Sequence, residues 1–112
     1  MSMRFSLLPM AAVIVCTSAA MAMPTRVERN LAIRLFDANQ LEPAVAKFAK
    51  IVDLHPSDEV SQYYLALALS RLGKTDQAYI HFTLAYLSEP DSQAGKYSKL
   101  ASIALTVPAP ER

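Results

Sequence analysis

The stretch GKTDQAYIHFTLAYLSEP, Gly73–Pro90, decides how this chain is read. Counting from the glycine, Ala78 follows at +5, Phe82 at +9, Ala85 at +12 and Pro90 at +17. An amphipathic helix needs an apolar face, but it does not fix the size of the residues on it. Here small and large residues hold set places between a glycine and a proline, so something packs closely against Ala78 and Ala85. Shifting the chain by 34 residues shows the same pattern upstream: Ala44 falls on Ala78, Phe48 on Phe82 and Pro56 on Pro90. Leu31 likewise falls on Leu65, Ala32 on Ala66 and Leu35 on Leu69. Asn39 falls on Gly73, and these two residue types most readily take a left-handed helix terminus.

Each 34-residue unit reads as a pair of helices. In the first unit, Thr25 and Glu28 form a capping-box pattern, and the apolar positions Leu31, Ile33, Leu35 and Phe36 run up to Asn39-Gln40. The second helix of that unit carries Pro43 in its first turn, where the missing N–H does little harm. In the second unit, Ser57 or Asp58 is expected to cap the helix that Gly73 ends, and Thr75 the helix that Pro90 ends. A fifth helix is expected from Asp91 or Ser92 to near Val107, followed by a disordered tail at 107–112.

These residues resemble the tetratricopeptide repeat family, whose helical pairs repeat every 34 residues with small residues, Phe and Pro at set places. The second unit supplies Leu65-Ala66, Leu69, Gly73, Ala78, Phe82, Ala85 and Pro90. The first supplies Leu31-Ala32, Leu35, Ala44, Phe48 and Pro56, and departs at Asn39 and Ile51. Glu28 and Gln62 stand where the family usually has an aromatic residue near each unit's start. The resemblance implies an all-α, helical-hairpin solenoid: repeat one over 25–58, repeat two over 59–92 and a capping helix over 92–106. On this reading Ala66 and Ala78 face each other where two helices cross, Ala85 meets the following helix, and Phe82 fills the gap between units.

The segment before the repeats has a different composition. MSMRF carries one charge, Arg4, and SLLPMAAVIVCTSAAMAM then runs uncharged to Pro24. A basic start, an apolar middle and an Ala20-Met21-Ala22 exit describe a secretory signal peptide over 1–22, cleaved before Met23, with Ser18-Ala19-Ala20 as the nearby rival exit. An uncleaved membrane anchor over residues 5–23 is the alternative, since the apolar run just matches a bilayer core of ~30 Å. Cys16, the only cysteine, lies in this segment, and Val15 before it does not suit lipidation. With Arg4 removed, 10 basic residues face 10 acidic ones, so nothing electrostatic draws the chain to nucleic acid. The remaining ~90 residues form a thin core without disulfides.

Catalytic and metal-binding patterns are lacking. His55 and His81 are far apart in sequence, and neither has an acidic or cysteine partner at ligand spacing. No Gly-rich phosphate loop, nucleophile elbow or paired-carboxylate motif occurs, so no enzyme and no cofactor is expected. The family resemblance instead implies binding on the concave face, lined by the first helix of each pair and by the capping helix. Carried over by position, the partner-binding groove consists of Arg29, Ile33, Phe36, Val60, Tyr63, Leu67, Arg71 and Tyr97. Ile33 and Tyr64 occupy places where carboxylate-gripping members of the family carry Asn, so the groove better suits an apolar helix or extended peptide. Ile33, Leu67 and Tyr97 have a second reading as completing a small core, while Tyr63 and Arg29 are expected to be exposed. Function is therefore read as a periplasmic or secreted protein-interaction adaptor, with a membrane-anchored envelope subunit or a secretion-type chaperone as alternatives. A lone monomer is not expected, because about three or more repeat units usually make a stable stack and only two are present; either homo-oligomerisation or a bound partner covers the remaining apolar faces.

Overall fold

Asn39 and Gly73 end their helices by one mechanism. Both have positive φ, 61° and 82°. Gln40 N–H reaches Leu35 O and Asn39 N–H reaches Phe36 O; Lys74 N–H reaches Leu69 O and Gly73 N–H reaches Ser70 O, all between 2.9 and 3.0 Å. This paired crossing of bonds around a left-handed residue is the Schellman terminus, and it satisfies carbonyls the helix leaves open. The 34-residue offset is thus repeated in backbone geometry. It recurs at the other ends, where His55 and Glu89 close their helices at φ/ψ of −135°/75° and −146°/81°.

A computed structural model describes residues 25–106. The expected signal peptide and the tail at 107–112 lie outside the described residues. Five helices follow one another: α1 (Thr25–Asp37), α2 (Leu41–Leu54), α3 (Glu59–Arg71), α4 (Thr75–Ser88) and α5 (Gln93–Thr106), with no strand among the described residues. Each helix packs on the next, so the chain is an all-α arrangement of helical hairpins. In addition α1 touches α3 and α3 touches α5, whereas α2 and α4 do not touch. One row of helices is therefore drawn together and the other splayed, and the surface carried by α1, α3 and α5 is the concave one.

The core is built on the repeated positions. Ala32, Ala44, Ala66, Ala78 and Ala85 are fully buried, as is Phe48, and Phe82 nearly so. A methyl side chain at a helix crossing lets the backbones approach, and the two phenylalanines fill the spaces left beside them. Burying each ring contributes about 1.5–3 kcal/mol. Ile51, in the place of Ala85, is also buried. Tyr64 is a further core member: it stacks on Phe48 (5.7 Å between centroids, 9° between planes) and meets Phe36 edge-on at 5.4 Å. Such offset and edge contacts suit the charge distribution of aromatic rings.

The helix starts differ from expectation. Thr75 is the first residue of α4 and not its cap; Lys74 holds the cap position and no side chain caps it. Asp58 holds the cap position of α3 but also makes no capping bond. Its carboxylate is taken by Arg29 Nη1, 2.9 Å from Oδ1 and 3.0 Å from Oδ2, and by the Ser61 hydroxyl, which donates at 2.9 Å. A charge-assisted bond to a guanidinium outcompetes a neutral backbone N–H. At α5, which starts close to the expected place, Ser92 caps the helix: its Oγ accepts the Gly95 N–H at 2.9 Å. Gly95 is required there, because a Cβ would fall on the Glu89 carbonyl oxygen.

Candidate functional site

The concave row brings some of the expected groove residues together and withdraws others. Tyr63 in α3 and Tyr97 in α5 lie side by side, with centroids 6.3 Å apart. Tyr63 also abuts Tyr64 (5.5 Å) and Phe82 (6.1 Å), so aromatic rings run in contact from Phe48 through Tyr64 and Tyr63 to Tyr97. Tyr97 ends this series at the surface, 48% exposed, with Gln93 Nε2 donating to its hydroxyl at 3.0 Å. Burial, then the nearby Tyr64 and Tyr97, push the Tyr63 phenol above its ordinary value. Tyr63 is accordingly a neutral, half-buried ring, less exposed than the sequence reading gives it.

Phe36 does not line an open groove. It is 5% exposed, since Tyr64 meets its edge and the Arg71 guanidinium sits 4.3 Å above its ring. That cation–π contact leaves Arg71 itself exposed at the groove's edge. Arg29 is half-buried and held by Asp58, so its charge is already neutralised by the loop before α3. Ile33 and Leu67 are partly buried and pack on the core, and Val60 is half-buried in the first turn of α3. The accessible part of the groove is therefore Tyr97, Arg71 and the partly exposed edges of Tyr63 and Leu67: an aromatic shelf with Arg71 at the groove's edge.

A second polar feature lies behind this shelf and has no counterpart in the sequence reading. Gln62, 3% exposed, donates from Nε2 to the Pro56 carbonyl at 3.1 Å. That bond orients the amide, so Oε1 accepts from His81 Nδ1–H at 2.7 Å. Gln62 thus ties the loop before α3 to α4 from the place where an aromatic residue was looked for. Partial burial lowers the affinity of His81 for a proton. The one available signal was the polar residue at a position otherwise facing the core.

Among the described residues, no cluster of three or more His, Cys, Asp or Glu is placed to hold a metal ion. No helix among them is long and apolar enough to cross a membrane. No family model, curated protein or solved structure matches the chain at a significant level.

Proposed function

We propose that this chain is a small adaptor of the tetratricopeptide type that holds a segment of a partner protein in its concave groove. The observation that carries the reading is the contact series from Phe48 to Tyr97, in which a buried aromatic core surfaces as one half-exposed ring. A ring backed by others is rigid, offers apolar area at little entropic cost and keeps a hydroxyl for hydrogen bonding. Arg71, about two turns further along α3 than Tyr63, adds a cation at the groove's edge, which suits an apolar peptide or helix with an acidic residue toward that end. That it is a cleaved, periplasmic or secreted adaptor rests on residues 1–22 and is tested by the mature N-terminus: one near Met23 supports it, and an intact Met1 or Ser2 overturns it in favour of a membrane-anchored envelope subunit.

The binding reading is tested with a photo-crosslinking amino acid placed at Tyr97, and separately at Leu54 on α2, in the full chain expressed in its native cells. Both positions are exposed. A protein adduct of discrete mass is expected from position 97, weakened by Arg71→Glu and missing from position 54. Identical adducts from both positions, or none from 97, would remove the groove from the account.

A further inference from the structure

We propose that the outer stripe of α4 is a docking face for α5 of a second copy of this chain. Ile80, Leu84 and Leu87 are spaced i, i+4, i+7 and so form one stripe, and all three are exposed. The hairpin architecture does not require this. The equivalent residues 34 positions earlier, in α2, are Ala46, Lys50 and Asp53, which are also exposed. The first hairpin has a solvated outer face where the second has three large aliphatic side chains.

Charge narrows the occupant to a basic apolar face, and α5 offers one. From Thr75 to Asp91 the chain carries Asp76, Glu89 and Asp91 and no lysine or arginine. From Gln93 to Thr106 it carries Lys96 and Lys99 and no acid. On α5, Leu100 (64% exposed) and Ile103 (49%) are three residues apart, with Lys96 one turn before Leu100. This face points away from Gly95 and Ser98, which are buried. An antiparallel crossing seats Leu100 and Ile103 of one copy along the Ile80–Leu87 stripe of the next, which is about 10 Å long. It brings Lys96 beside Glu89 and Asp91 and opposes the helix dipoles. Other pairings of the same helices fit less well. Two α4 stripes crossing antiparallel would set Asp76 against Glu89 and Asp91. On α1, the exposed Val27 and Leu31 are flanked by Arg26 and Arg34, which would meet the α5 lysines with like charge.

Because the two faces differ, the contact is heterologous, and each pair keeps one free face of each kind, one on each copy. Sedimentation velocity on the full chain tests this, with Leu84→Lys to disable the α4 face and Leu100→Glu to disable the α5 face. Both positions are exposed, and circular dichroism verifies that the variants keep their helix. The wild-type chain is expected to exceed dimer mass as concentration rises, and each variant alone to stay monomeric. An equimolar mixture of the two variants is expected to form a 1:1 dimer and stop there, since each supplies the face the other lacks. Lys96→Glu should weaken assembly about tenfold, and adding Glu89→Lys should restore it. A wild-type chain that stays monomeric, variants that assemble like wild type, or a mixture that does not pair would each overturn the proposal. Association through another segment or through two identical faces is caught by the same experiment, because neither is complemented in the mixture.

Discussion

Gly73 and Asn39 show how much a single residue can announce. Both terminate a helix at positive φ, and nothing lies within 4 Å of a Cβ built on Gly73. The cost of a substitution there is therefore conformational, not steric. Gly73→Val is expected to destabilise by about 1–2 kcal/mol, from the left-handed backbone alone. Gly73→Asn should be much milder, since asparagine already fills the equivalent place in the first hairpin. Urea denaturation of both variants measures the difference, and equal losses would point to a clash instead. His81 shows the opposite case, a residue whose sequence context announced nothing. Its folded-state proton affinity is lowered by partial burial, relative to an ordinary pKa of 6.5. Protonation therefore favours the unfolded chain: the contribution of His81 is complete above about pH 6.5 and falls as pH drops through its lower folded value. Denaturation midpoints are expected to decline as pH falls below about 6.5, and His81→Asn should flatten that decline. A decline of the same size in the variant would assign it to other groups.

At the scale of the helix, side-chain size matters more than helical periodicity. α4 has buried Ala78, Phe82 and Ala85 on one side, yet Ile80, Leu84 and Leu87 are exposed on another. A helix apolar around most of its circumference has no strong amphipathic signal. Its inward face was nevertheless legible, because only the small–large–small spacing recurs at the 34-residue offset. Ala78→Leu adds three carbons at a fully buried crossing and is expected to cost about 1–3 kcal/mol by overpacking. Ala46→Leu, at an exposed position of α2, is the matched control and should be near neutral. Chemical denaturation that found Ala78→Leu neutral would contradict the close crossing. Helix starts were less legible than helix ends. Asp58 lies where a cap was expected, but Arg29, a helix pair away, claims its carboxylate. No local rule foresees a partner 29 residues distant.

For the molecule as a whole, two surfaces emerge from one packing difference: α1, α3 and α5 approach one another, while α2 and α4 do not. The groove side carries Tyr97 and Arg71, and the outer side carries the Ile80–Leu87 stripe. The sequence alone determined the all-helical class, the hairpin pairing and the buried alanines and phenylalanines. These depend on residue size and backbone conformation, which act over a few residues and repeat with the unit. On α5, Ile103 is exposed, whereas Leu105 packs on the core. Leu31 and Leu65 are matched in sequence but differ in burial, 39% against 2% exposed, because α3 has helices on both sides and α1 does not among the described residues. Only the tertiary structure decided which expected groove residues are reachable. Phe36 is closed off by Tyr64 and Arg71, Arg29 is paired with Asp58, and Gln62 turns inward to His81. Each of those outcomes joins residues at least 19 positions apart, and such contacts are set by how the helices are stacked, which no short stretch of sequence encodes.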